Sequence, residues 1–249
     1  MPIIVKSQNE ISIMREAGRH LAEVLQMLAD ATRPGLMEIE LDEIVRREYK
    51  KRDLIPTFLG YYGYPATVCI SVNDKIVHGI PSKREFVEGD IVSIDLGCTH
   101  KGFVADSART VGAGDIGPEK QRLIDVCNEA LWRGIGASRG GARIGDIGHA
   151  IQTYVEGEGF AIVREYVGHG VGRAMHEDPQ IPNFGTPGTG PILRPGMVIA
   201  IEPMVNVGTW QTKKESDNWT VRTKDGSLSA HFEHTLAITE GEAEVLTLP

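Results

Sequence analysis

The 249-residue sequence predicts an α+β fold made of two copies of a helix-helix-strands unit, on three observations. Four segments carry apolar residues at helical spacing, the first behind a capping box and the third behind a proline, and several runs have the alternation or apolar density of strands. The run Gly89-Asp90-Ile91-Val92-Ser93-Ile94-Asp95 returns 107 positions later, from 89 to 196 and from 95 to 202, as Gly196-Met197-Val198-Ile199-Ala200-Ile201-Glu202. Each copy ends on a carboxylate. Upstream, Gly35 before Glu40-Leu41 and Gly141 before Asp146-Ile147 repeat at an offset of 106, and His78-Gly79-Ile80 is echoed by His169-Gly170-Val171. The repeats span about 7–111 and 118–240 of a single domain over 1–249. Two such halves facing each other would close one sheet-lined cleft with acidic strand positions from both.

Taken in order, Ser7-Gln8-Asn9-Glu10 is a capping box, and Ile11, Met14, Ala17, Leu21, Val24, Leu25 and Leu28 continue a helix that Arg33-Pro34-Gly35 ends. A second helix covers about 39–51, with Leu41, Ile44, Val45 and Tyr49 on its inner face. Its late basic cluster, Arg46, Arg47, Lys50, Lys51 and Arg52, reads as a solvated face that complements the helix C-terminus, in preference to a polyanion site. Residues 59–65 form a turn-rich loop whose Tyr61, Tyr62 and Tyr64 suit a pocket wall, and 67–72 is a strand.

Runs 89–95 and 103–107, joined by 98–102, read as a hairpin whose first strand has a polar and an apolar face. Asp95 and Asp106 are then directly opposed or diagonal, and in either register they share a face. Like charges so placed destabilise a sheet unless solvent or a cation compensates them. Pro118 opens a third helix through Leu123, Val126, Cys127, Ala130 and Leu131, and a shorter one runs over about 147–156. The Gly- and Pro-rich stretch 169–195 reads as a long loop, and 196–202 and 230–236 as strands.

Composition narrows the function. Hydrophobic and charged fractions of 41% and 24% are those of a soluble globular protein. A net charge of −8 argues against a dedicated nucleic-acid binder. Cys69, Cys98 and Cys127 are too widely spaced for a zinc motif or disulfide framework, which fits a reducing cytosol. There is no signal-like h-region and no apolar run of membrane-spanning length, so a cytoplasmic chain without membrane partners is expected.

Glu202 sits alone in an apolar run, where a buried charge is costly unless paired or metal-bound. Glu233 lies between Phe232 and a strand, and His169 between two glycines. A lone His or Glu is more often structural. Together with Asp95 and Asp106, however, they make an oxygen-rich set able to hold two divalent ions about 3.5–4 Å apart, as hydrolases do.

In order and spacing, Asp95, Asp106, His169 in Gly-His-Gly-Val-Gly, Glu202 in Ile-Glu-Pro-Met and Glu233 in Phe-Glu-His-Thr resemble the five ligands of the methionine aminopeptidase family. The run Asn-Asp-Lys-Ile-Val-His-Gly-Ile-Pro at 73–81 and the pair His176-Glu177 extend the resemblance over nearly the whole chain. It implies the pita-bread fold, a curved, mainly antiparallel sheet with outer helices and a pseudo-two-fold axis, as a single catalytic domain over 1–249. The short type I form is expected: no N-terminal zinc-binding extension precedes the first helix, and only 31 positions separate Glu202 from Glu233.

The resemblance implies removal of the initiator methionine from nascent proteins and peptides with a small second residue, by a water that two divalent ions activate. Asp95 would bind one ion, His169 and Glu202 the other, with Asp106 and Glu233 bridging. Glu202 would shuttle the proton, His176 donate to the oxyanion and His78 orient the scissile amide. Tyr61, Tyr64, Cys69 and Trp219, with His78 and His176, would line the substrate pocket, and Met175 stands where many relatives carry an aromatic residue. An oxygen-rich site of this kind admits Mn, Fe, Co or Zn, and availability decides among them. Expected partners are N-terminal-Met peptides and nascent chains, with a transient ribosome contact, and the chain is expected to be a monomer. Two rivals share the fold: a proline-directed peptidase with the same five ligands, which usually carries an extra N-terminal domain, and a non-catalytic binding module, which tends to lose ligands.

Overall fold

Helix α1, Gln8–Ala31, begins where the capping box predicts: Ser7 Oγ accepts from the Glu10 amide at 3.4 Å, and a Glu10 carboxylate oxygen accepts from the Ser7 amide at 2.9 Å. The structure, a computed structural model, describes residues 2–249. Helix α2, Glu38–Lys51, follows the left-handed turn at Gly35. Its basic cluster does more than complement the helix end: Arg47, Lys51 and Arg52 converge on Glu48 at 3.2, 2.8 and 2.6 Å and hold its carboxyl well below the usual range. Arg46 pairs with Asp42 at 2.6 Å.

Three short strands follow, β1 Ile55–Pro56, β2 Cys69–Val72 and β3 Lys75–Val77, and then the hairpin of β4, Asp90–His100, and β5, Phe103–Ala113. The connection is tighter than the expected 98–102. Only Lys101 and Gly102 make the turn, both with positive φ (48° and 79°), while 98–100 continue the strand. Residues 90–98 are buried throughout, so the expected polar strand face is not a wet one. Val92, Ile94 and Leu96 pack into a core with Ala17, Leu21 and Val24 of α1 and Leu41 and Val45 of α2, and the opposite face is covered by the C-terminal half.

Helix α3, Gly117–Ala137, has Pro118 in its first turn as expected. Helix α4, Ile144–Gly157, starts three residues earlier than 147. Glycines there weaken the helical signal for a packing reason: a Cβ on Gly148 would lie 2.4 Å from the Phe184 carbonyl oxygen. Beyond it come β6 Ala161–Ile162, β7 Gly168–Gly170, β8 Glu177–Ile181, β9 Val198–Ile201 and β10 Met204–Asn206. The last strands are β11 Thr212–Lys214, β12 Val221–Thr223, β13 Ser229–His231, β14 His234–Ala237 and β15 Glu244–Val245.

Two expectations are corrected here. The stretch 169–195 is not all loop, because β7 and β8 pair and join a five-stranded sheet in the order β15-β14-β9-β7-β8. Glycine hid that strand, and close packing requires it: a Cβ on Gly168 would fall 2.3 Å from the Ala200 carbonyl oxygen. The run 230–236 is broken into β13 and β14, with Phe232 and Glu233 between them. Every paired strand is antiparallel.

The two halves share local geometry. Gly89 and Gly196 both have φ of 88°, and the bridges Met37–Glu85 and Arg143–Ile192 each precede the second helix of a half. Each helix pair covers its own apolar cluster, α1 and α2 over one and α3 and α4 over the other. Among the described residues no helix is long and apolar enough to cross a membrane.

Candidate metal centre

Five strands or strand ends bring the acidic residues together. In the β4–β5 register Asp95 faces Ala108 and Asp106 faces Gly97, so the two carboxylates are diagonal neighbours on one face. His169 is the middle residue of β7, Glu202 follows β9, and Glu233 occupies the break between β13 and β14. The halves are fastened beside the ligands. The Asp106 amide donates to Thr235 Oγ1 at 3.0 Å, and that hydroxyl donates back to the Asp106 carbonyl at 2.8 Å. Ser107 Oγ donates to the Glu233 carbonyl at 2.8 Å, and the Glu233 amide donates to Ala108 O at 2.9 Å.

Asp106, His169 and Glu233 each offer one ligand atom, and these atoms lie within 4.8 Å of one another. His169 Nε2 is 3.6 Å from Asp106 Oδ2 and 3.8 Å from Glu202 Oε1. Its Nδ1 lies 2.9 Å from the Gly170 carbonyl, which can only accept, so Nδ1 carries the proton and Nε2 keeps a lone pair facing the carboxylates. Burial lowers the His169 pKa to about 4, leaving the ring neutral.

Burial also pushes the carboxyls upward, Asp106 to about 8 and Asp95, Glu202 and Glu233 well above the carboxylate range. The Asp106 charge adds to the shift of the other three. Asp95 Oδ1, Asp106 Oδ1 and Glu233 Oε1 are buried without a hydrogen-bond partner. Orphaned oxygens, mutual repulsion and an imidazole lone pair are what divalent cations would satisfy, so the residues fit such ions.

Beside the acidic cluster lies a cavity of about 280 Å³, and all eleven residues expected at the site line it. Tyr64 packs edge-on against Trp219 (5.1 Å between centroids) and Phe58 (6.4 Å). Cys69 pairs in register with Asp95, so pocket wall and acidic cluster share one rung of the sheet. Its thiol is pushed well up by burial, which makes it an apolar surface and a poor nucleophile. His78, kept neutral with a pKa of about 4, is 6.3 Å from Trp219 between centroids. His176 has its ring 4.3 Å from that of His169, and its Nδ1 is 2.7 Å from the Tyr61 hydroxyl. Met175 is buried and lines the same cavity.

Sequence reasoning missed Phe58 and His231. Nothing at Phe58 beyond its place before the tyrosine loop signals the wall. His231 is buried with both ring nitrogens unpartnered and Nε2 4.0 Å from Glu202 Oε2. Its spacing of two from Glu233 was the available signal.

Residues 12–240 match the sequence pattern of Metallopeptidase family M24. The chain is 51% identical over 245 residues to methionine aminopeptidase 1 of Bacillus subtilis, covering 98% of this chain and 99% of that one. The crystal structure of methionine aminopeptidase from Thermotoga maritima superposes with a TM-score of 0.98 at 46% identity, covering both chains completely. The prolidase from Pyrococcus furiosus shares the fold alone, with a TM-score of 0.77 at 23% identity over 99% of this chain and 66% of that one.

Proposed function

The chain belongs to the methionine aminopeptidases of metallopeptidase family M24, and from that premise we propose that it releases N-terminal methionine from peptides and nascent chains with a small second residue. The fold is the pita-bread fold. The observation that carries the reading is the contact between the buried acidic cluster and the aromatic cavity, since a flexible thioether suits such a wall and the scissile bond would then lie over the acids.

Asp95, Asp106, His169, Glu202 and Glu233 would hold two divalent ions. When bound, such ions polarise the scissile carbonyl and acidify the attacking water. Glu202, 3.8 Å from His169 Nε2 and 4.0 Å from His231 Nε2, accepts the water's proton and passes it to the leaving amine. The Tyr61 hydroxyl lies 2.7 Å from His176 Nδ1, and when it donates there the imidazole N–H is on Nε2 for the developing oxyanion. His78, neutral and half-buried, orients the scissile amide. Both halves of the chain supply ligands, so the catalytic unit is the whole domain over 1–249. All three cysteines are buried and free, in keeping with a reducing compartment.

A peptide panel, Met-Ala-Xaa against Xaa-Pro-Xaa with and without chelator, tests the reading. The expected result is chelator-sensitive methionine release. Cleavage of Xaa-Pro-Xaa alone would favour the proline-directed alternative, and cleavage of neither would end the enzymatic one.

A further inference from the structure

Just ahead of α1, Lys6 is 5% exposed, and its amide is fixed to the Gly196 carbonyl at 2.7 Å. Its ammonium donates to Glu177 Oε2 at 2.7 Å and to the Ile4 carbonyl at 3.2 Å. Both partners of this ion pair are buried, with side-chain exposures of 3% and 6%. The other Glu177 oxygen accepts two backbone amides, Arg173 at 2.9 Å and Ala174 at 3.2 Å. The turn they belong to is also tied to β5, since the Val104 amide donates to the Gly172 carbonyl at 2.7 Å.

The turn packs directly against this ion pair. A Cβ on Gly172 would lie 2.5 Å from Glu177 Oε1 and 2.6 Å from Lys6 Cε. The turn ends in Met175 and His176, both of which line the cavity, and Glu177 is the next residue. A buried carboxylate is held in place only while a cation balances it, and removal of one partner leaves an uncompensated charge that the local backbone must relieve. The backbone best able to move is the turn carrying Met175 and His176.

We infer that Lys6, remote from the reacting atoms, is a positioning residue: by balancing Glu177 it fixes the turn at 171–176 and so sets the placement of His176 in the cavity. The inference rests on the role given to His176 above. At saturating metal, Lys6→Met should lower kcat about tenfold with little change in KM, because small displacements of a catalytic group cost that much or more. Lys6→Arg should restore the rate, and calorimetric metal affinity should not change. In a His176→Ala background the same Lys6→Met change should cost no more than about twofold, since the group it positions is gone. An equal loss in both backgrounds, or failure of Lys6→Arg to rescue, would overturn the inference. Should Lys6→Met fold poorly, Glu177→Gln keeps the acceptors while removing the charge and should show the same non-additivity.

One readout is independent of turnover. The ring resonances of His176 in the metal-free protein should move in Lys6→Met while those of His149, on the exposed side of α4, stay in place. Unmoved His176 resonances refute the positioning role whatever the enzyme does. Moved resonances in a protein that releases no methionine would refute the proposed function and leave the structural coupling standing.

Discussion

The two halves of the site place their ligands by different means. Asp95 and Asp106 come from one uninterrupted hairpin of eleven-residue strands, so register alone makes them diagonal neighbours. His169, Glu202 and Glu233 come from short strands or their ends, and each residue is held by a further hydrogen bond besides the ladder. Asn183 Nδ2 donates to the Glu202 carbonyl at 3.0 Å, Ser107 Oγ donates to the Glu233 carbonyl at 2.8 Å, and His169 Nδ1 donates to the Gly170 carbonyl at 2.9 Å. The hairpin is a rigid source of negative charge, whereas the other half is an assembly whose members can take separate roles. Loss of a hairpin acid should therefore disable the centre as a whole, whereas loss of Glu202 or of His176 in the second half should remove one function separately.

The largest effect is expected at Asp106. Its carboxylate lies within ligand distance of His169 and Glu233, and its charge bears on every other acid in the cluster. Chelation should abolish activity, and Asp106→Asn should cripple metal binding and turnover together, because the amide brings no charge to balance two divalent ions. Calorimetric titration of the mutant with divalent metal gives the answer. Unchanged stoichiometry and affinity would break the comparison at its rigid end.

The same contrast governs what was legible beforehand. The hairpin half could be read from residue types because period-two alternation needs no tertiary information, and the capping box fixed the start of α1 for the same local reason. Glu202 was legible as a charge in an apolar run. The Gly168–Gly170 strand was not, since its glycines answer to the close approach of Ala200, a partner distant in sequence. Nor was the break between β13 and β14, which exists because Glu233 pairs across to Ala108. His231 escaped notice because an apolar strand with a histidine two residues before a glutamate is equally compatible with a buried structural ring.

Within the second half, Glu202→Gln separates proton transfer from metal binding. The amide keeps an oxygen but accepts no proton, so turnover should fall by about 10²–10⁴ while the metal remains bound. Metal-replete mutant cleaving at close to the parent rate would assign the proton transfer elsewhere, His231 being an unpartnered ring 4.0 Å from Glu202.

A smaller loss is expected for His176→Ala, about 10²–10³ in kcat with little change in KM, if the ring stabilises the oxyanion. Recovery of rate with excess metal would make it a ligand instead. A lowered unfolding temperature with unchanged rate per folded molecule would make it structural.

The smallest effect is one of stability, and it tells the acids from the imidazoles by the sign of its pH dependence. In protein stripped by chelator, the folded state keeps a proton on Asp106 up to about pH 8, whereas an unfolded carboxyl releases it near 3.8. A carboxyl with a raised folded pKa stabilises the fold fully below its unfolded pKa, and that stability is lost as pH rises toward the folded value. His169 and His78, lowered to about 4 by loss of solvation, act in the opposite sense: their contribution is present above 6.5 and is lost as pH falls toward 4. Below pH 6.5 the two trends oppose each other, and between 6.5 and 8 only the acids contribute. There the stripped protein should lose up to about 1.4 kcal/mol per pH unit for each proton released, read as a falling unfolding temperature. Asp106→Asn should flatten that decline. Divalent metal should reverse it in the parent protein, because binding requires deprotonated ligands and strengthens as pH rises. An unfolding temperature that stays level from pH 6.5 to 8 in the stripped parent would mean that the hairpin acids ionise as they do in water, and the buried, cation-requiring centre would be the wrong description of that half of the molecule.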